Sequence, residues 1–152
     1  MPMKYSWNQF LHEGEESEAG IVVCLNDEQQ FLLLRRSTID RRQGSWTLPG
    51  GHIDEEDASV EAGAVRELEE EANLICMTAD LRYLGEPSSR KYYFLTQKWH
   101  GTVNINQPNP HTGEIEHDDY KWATIDEIKE IENTEIPIYL LEKALTMVKN
   151  AK

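Results

Sequence analysis

Two apolar runs, Ile21-Val22-Val23-Cys24-Leu25 and Phe31-Leu32-Leu33-Leu34, flank the polar stretch Asn26-Asp27-Glu28-Gln29-Gln30. Short runs of β-branched and aliphatic residues predict strands, and the polar break predicts a hairpin between them. Trp46-Thr47-Leu48 runs into Pro49-Gly50-Gly51, which stops any regular element and predicts a tight, exposed loop. From Ser59 to Ala72 the period changes: Val60, Ala64, Leu68 and Ala72 recur every four residues, with Val65 beside them, as on one face of a helix. Ser59 suits its N-cap, Glu61 suits the positive end of its dipole, and Asn73 can take the left-handed conformation that ends it. Further strands are expected at Leu81 to Leu84, Tyr92 to Trp99 and Tyr120 to Ala123, with a loop at Gln107 to Gly113. Thr124-Ile125-Asp126-Glu127 has capping-box spacing and predicts a helix to about Ile131. A last helix, near Pro137 to Lys149, carries Ile138, Leu141, Leu145 and Val148 on one face. Strands, helix, strands, helices in that order predict an α+β sandwich on a mixed sheet.

At 152 residues, with no internal repeat or linker, the chain is expected to form one domain with a core that needs no staples. The formal net charge of -13 excludes a broad nucleic-acid-gripping surface, which needs an excess of Lys and Arg. A small phosphorylated substrate stays open where cations screen the acids locally. Cys24 and Cys76 have no partner at metal-ligand spacing and are read as reduced and buried. Met1 to Phe10 contains no uninterrupted apolar segment, and Phe31 to Leu34 is too short to span a bilayer. The expectation is a soluble, cytoplasmic protein without a membrane partner.

The chemistry is expected in Arg66-Glu67-Leu68-Glu69-Glu70-Glu71. Glu67, Glu70 and Glu71 stand at i, i+3 and i+4, so three carboxylates share one side while Leu68 points to the core. Like charges at that spacing repel, and a hard divalent cation would turn the repulsion into ligation by oxygen. An ordinary solvated acidic face is the plain alternative.

Context decides between the two. Leu48-Pro49-Gly50-Gly51-His52-Ile53, followed by this Arg-Glu-Leu-x-Glu-Glu, resembles the Nudix box, written G-x5-E-x7-R-E-U-x-E-E-x-G-U with U aliphatic. Gly51 matches its first glycine, Arg66 to Glu71 its R-E-U-x-E-E, and Leu74 its last aliphatic residue. Three departures stand out: Gly51 to Arg66 is one residue longer than the pattern, the early Glu is replaced by Asp57 or Ala58, and the late Gly is Asn73. The looser resemblance extends from about Ala19 to Glu130.

The resemblance implies a Nudix-like α/β/α sandwich and a hydrolase that cleaves a pyrophosphate linkage in a nucleoside diphosphate derivative by water attack at phosphorus. It implies Mg²⁺, with Mn²⁺ as a substitute, held by Glu67, Glu70 and Glu71, and Arg66 holding the carboxylates in place. Gly50 and Gly51 are implied at the substrate and metal through their backbone. A further Glu from a late loop is implied as ligand or base; Glu114 and Glu116 are the candidates, and Glu116 is favoured. His117 is a conceivable base, although a lone loop histidine is usually solvent-exposed. Arg35 and Arg36 are candidates for the substrate phosphates, beside Arg41, Arg42, Arg90 and Lys91. Trp46, Tyr92, Tyr93 and Trp99 are candidates for base stacking. The expected partner is a small nucleotide, and a homodimer is the commonest form if the chain associates. The rivals are a non-catalytic nucleotide-sensing or interaction domain on the same fold, and an acidic calcium-binding protein built on Asp54-Glu55-Glu56-Asp57, a run that lacks calcium-loop spacing.

Overall fold

The first apolar run becomes strand β1 (Ala19–Cys24), and the second becomes β2 (Phe31–Arg36). The computed structural model, which describes residues 17–37, 44–132 and 134–150, does not pair them as a hairpin. Only Leu25 and Phe31 bridge, and the two strands enter different sheets. β1 joins β4 (Gly50–His52), β6 (Lys91–Thr96) and β5 (Arg82–Ser88) in a mixed sheet of order β4-β1-β6-β5, with β1 parallel to β6. β2 joins β3 (Trp46–Thr47) and β7 (His117–Ala123) in an antiparallel sheet of order β3-β2-β7. Val22 to Leu25 and Phe31 to Leu34 are wholly buried. Both faces of each run are therefore covered, which continuous apolar strands require and a half-exposed hairpin does not.

Helix α1 (Val60–Ala72) covers one face of the sheets, where Ala64, Leu68 and Ala72 pack with Val22, Cys24, Leu32 and Leu34. Helices α2 (Ile125–Lys129) and α3 (Ile138–Asn150) cover the other, where Ile128, Leu140, Leu141 and Ala144 meet Ile21, Val23, Phe31 and Leu33. The result is a three-layer α/β/α sandwich of the α+β class with alternate strand residues feeding two cores. Each buried Leu, Ile or Phe contributes about 1.5–3 kcal/mol through removal from water. Among the described residues no helix is long and apolar enough to cross a membrane.

The caps form as the sequence predicts. Ser59 Oγ accepts from Ala62 N at 3.0 Å, and Asn73 closes α1 at φ 63°. Thr124 and Glu127 make a reciprocal capping box on α2, which ends at Lys129 and not Ile131. The expected exposed loop at Pro49-Gly50-Gly51 is corrected: Leu48 and Pro49 are buried, and the glycines form the edge strand β4 against β1. A short 3-10 turn at Thr78–Asp80 had no periodic signal. β7 begins three residues before the expected Tyr120, at His117. Arg41 and Arg42 lie outside the described residues.

Candidate active site

Register brings α1 close to the sheet. Gly20 of β1 pairs with Gly51 of β4, and both face α1. A Cβ on Gly20 would stand 2.9 Å from Ala64 Cβ, and one on Gly51 would stand 2.7 Å from the carboxyl carbon of Glu67. Both positions therefore need glycine for a reason of space. Gly50 N donates to Glu71 Oε1 at 2.9 Å, so the main chain of β4 holds one carboxylate directly.

Arg66 organises the others. Its guanidinium donates to both Asp57 oxygens at 3.0 Å, to Glu67 at 3.2 Å, to Glu70 at 2.9 and 3.0 Å and to the His52 carbonyl at 3.1 Å. Burial works against its charge, but Asp57, Glu67 and Glu70 outweigh that and raise its pKa above the ordinary arginine value. Asp57 takes the place at Arg66 that sequence left open between Asp57 and Ala58. Around the extra residue of this loop, Asp57 N donates to Asp54 O at 3.1 Å and Asp54 N to Asp57 Oδ2 at 2.7 Å, which closes a tight turn.

One cavity of about 460 Å³ opens between the sheets, lined by Arg36, Gly50, Gly51, Arg66, Glu67, Glu70, Glu71, Glu116 and His117. Ligand atoms of Glu71, Glu116 and His117 lie within 4.8 Å of one another. Burial, with Glu70 and Glu116 nearby, pushes Glu67 up to about 7 against the pull of Arg66. Burial and then the charge of Glu67 raise Glu71 well above the usual carboxylate range, against the Gly50 hydrogen bond. The cluster thus has more anionic groups than its cations neutralise.

The segment 101–116 is fastened to the end of α1. Gln107 Nε2 donates to the carbonyls of Glu69 and Glu70 at 2.8 and 2.9 Å, and Asn73 Nδ2 donates to Thr102 O at 3.1 Å. Asn109 Oδ1 accepts from His111 N and Thr112 N, while its amide donates to Glu116 Oε1. Of the two late-loop candidates, Glu116 therefore reaches the cavity, whereas Glu114 is exposed and not among the lining residues.

His117 corrects an expectation. It is 4% exposed, pairs in register with Arg36 and lines the cavity. Extending the β7 pattern back from Tyr120 was the signal that could have found it. Arg36 lines the cavity, but Arg35 does not: its Nε donates to Asp118 at 2.7 Å, and its guanidinium sits over Trp46. Trp46 also carries Lys121 at 4.5 Å from its ring centre, and Trp99 stacks on Trp122 at 5.3 Å. Tyr92 packs against the core on the α1 side, and of the four aromatic candidates Tyr93 lines the cavity. Cys24 and Cys76 are free and buried as expected, and burial pushes the Cys24 thiol up.

A search of curated proteins returned no sequence match. Among solved structures, the NUDIX domain of Shewanella oneidensis NrtR, complexed with ADP ribose, is 20% identical, with 95% of this chain and 99% of that one covered at a TM-score of 0.66. A MutT NUDIX hydrolase from Burkholderia pseudomallei is 21% identical, covering 83% and 95% at 0.64. An ADP-ribose pyrophosphatase from Streptococcus suis is 20% identical, covering 88% and 92% at 0.62. At these identities the likeness establishes the fold. The family model for the NUDIX domain matches residues 16–143, most of the chain. With its box helix set against the β4 glycines, the chain belongs to the NUDIX domain family, a family of pyrophosphohydrolase enzymes.

Proposed function

We propose that this protein hydrolyses a pyrophosphate linkage in a nucleoside diphosphate derivative by water attack at phosphorus, with Mg²⁺ held by Glu67, Glu70, Glu71 and Glu116, and Mn²⁺ as a substitute. The observation that carries the proposal is the convergence of these carboxylates, with His117, in one cavity. An anionic, oxygen-rich donor set suits a hard divalent ion, Mg²⁺ or Mn²⁺ alike. A divalent ion bound there supplies charge neutralisation for the phosphate oxygens and acidifies water. The chain's own groups do the rest. Arg66 fixes Glu67 and Glu70, Gly50 N fixes Glu71, and Asn109 fixes Glu116. Glu67 orients the attacking water and can hold its proton, and Arg36 faces the substrate phosphates.

We also propose a cytoplasmic location, which the buried free cysteines support because they suit a reducing compartment. A non-catalytic domain would gain nothing from keeping Glu67, Glu70 and Glu71 together against their repulsion. Glu70→Gln and, separately, Glu71→Gln are expected to lower Mg²⁺-dependent turnover of nucleoside diphosphate derivatives at least about a hundredfold, with circular dichroism unchanged. Two variants as fast as the parent would overturn the metal assignment.

A further inference from the structure

We infer that Gln107 is a positioning residue of this site: its neutral amide ties the segment 101–116 to the last turn of α1 and so sets the distance between the helix carboxylates and Glu116. This rests on the metal assignment of the hydrolase proposal. A helix leaves its final carbonyls without partners, and α1 has no basic residue in its last turn to meet them. The segment meets them instead. Ile75 and His100 exchange backbone hydrogen bonds at 2.9 Å, and Asn104 N donates to Ala72 O at 3.0 Å. Gln107 Nε2 then donates to Glu69 O at 2.8 Å and to Glu70 O at 2.9 Å. The segment therefore runs antiparallel to the end of α1 and reaches the turn that carries Glu70 and Glu71.

Beyond Gln107 the chain turns toward Glu116. Pro108 follows, with its φ fixed by the ring. The next residue, Asn109, donates from its side-chain amide to Glu116 Oε1. Asn109 is itself closed into a turn: its N donates to Glu114 O at 2.8 Å, and its carbonyl accepts from Gly113 N at 2.7 Å. Just past β2, Ser37 N donates to the Glu116 carbonyl at 2.8 Å and holds that end. Three residues of chain and two hydrogen bonds thus join the Glu70 carbonyl to the Glu116 carboxylate. Along this path lies a space of about 20 Å³, room for one ion or water, whose walls include Glu67, Glu70, Glu71, Gln107, Asn109 and Glu116. The amide suits the place better than a charged donor. A lysine would complement the dipole, but its charge would pair with the carboxylates and compete with a divalent cation. Gln107 supplies two N–H donors and no charge, so it fastens the segment without neutralising the site.

The test is Mn²⁺ binding, followed by electron paramagnetic resonance, to the parent, Gln107→Met, Glu116→Gln and the double variant, with Asn73→Gly as control. Methionine keeps the length of the side chain and removes both donors. Gln107→Met and Glu116→Gln are each expected to weaken Mn²⁺ at least about tenfold. The double variant is expected to bind within about twofold of Glu116→Gln alone, because Gln107 acts through that carboxylate. Asn73→Gly keeps the left-handed cap and removes the bond to Thr102 O at the start of the segment, so it is expected to bind within about twofold of the parent. Gln107→Ala is expected to repeat the Gln107→Met result, and thermal melts show that each variant is folded. Gln107→Met that binds as the parent does, or a double variant in which the two losses multiply in full, overturns the inference while leaving the metal assignment standing. Asn73→Gly that weakens Mn²⁺ as much as Gln107→Met also overturns it, since the whole segment and not Gln107 would then set the distance. Glu116→Gln that binds as the parent does overturns the inference together with the assignment of Glu116 to the metal.

Discussion

Helices α1 and α3 are each 13 residues long, pack on opposite faces of the sheets and bury four residues, yet they follow opposite rules. α3 buries Leu140, Leu141, Ala144 and Val148 and carries Lys149 in its last turn, where a cation complements the dipole. α1 buries Gly63, Ala64, Leu68 and Ala72, mostly small side chains. It ends in Glu69-Glu70-Glu71 with no basic residue in the last turn, so its charges oppose both the dipole and one another. Small buried residues let α1 approach β1 and β4 closely enough to set its carboxylates at the cavity. α3 buries the larger side chains, whereas α1 carries an electrostatic cost that the proposed cation would relieve.

The largest expected effect breaks the structural half of this comparison. Leu141 is fully buried in the core that α3 shares with β1 and β2. Leu141→Ala is expected to cost about 3 kcal/mol by loss of burial and creation of a cavity. Thermal unfolding should show Tm lower by about 10 °C. Magnesium affinity at a permissive temperature should stay within twofold of the parent. A Leu141→Ala protein that melts with the parent would show that α3 does not carry this share.

The second effect concerns pH and sharpens the electrostatic half. Glu67 is pushed up to about 7 by burial and neighbouring carboxylates, from an ordinary 4.5, and Glu71 is raised as well. A raised pKa means that the folded state holds these protons more tightly. The stability they contribute is complete below about pH 4.5 and is lost as pH rises through about 7. The metal-free protein should therefore melt about 5 °C lower at pH 8 than at pH 5.5. Saturating Mg²⁺ should shrink the difference, because metal binding to the native state stabilises it most where the carboxylates are ionised. The Glu67→Gln/Glu71→Gln double variant should lose most of the slope; a double variant that keeps it would assign the slope to the chain's general negative charge.

The same contrast explains what the sequence made legible. α1 was readable because period, cap and terminator all agree locally, from Ser59 through Leu68 to Asn73, and carboxylates at i, i+3 and i+4 must share a side of any helix. The hairpin failed because hydrophobicity measures how deeply a strand is buried and not which strand lies beside it: Val22 to Leu25 and Phe31 to Leu34 are covered on both faces by different layers. The glycines of β4 looked like a loop because their edge pairing depends on β1, 31 residues earlier in the register of Gly20 with Gly51. Asp57 could not be assigned while the path of the Asp54 to Asp57 turn was unknown. His117 was named as a conceivable base, but its burial was missed because it comes from the surrounding cavity wall, information that no local window holds.

The smallest effect tests whether every glutamate of α1 belongs to the site. Glu69 is exposed and does not line the cavity, unlike Glu67, Glu70 and Glu71. It stands in the last turn, where its charge opposes the helix dipole and adds to the local repulsion. Glu69→Lys reverses both terms, so it is expected to stabilise the protein by about 0.5 kcal/mol at low ionic strength. Tm should rise by roughly 2 °C, and the gain should fade in about 1 M salt as the charges are screened. The Gln107 bond should persist because it reaches the Glu69 carbonyl and not the side chain. Turnover should stay within about twofold of the parent. A hundredfold loss in Glu69→Lys, comparable to that expected of Glu70→Gln, would mean that the cavity is organised by the summed negative field of the helix end and not by three positioned carboxylates, and the division between α1 residues that bind and those that only repel would have to be given up.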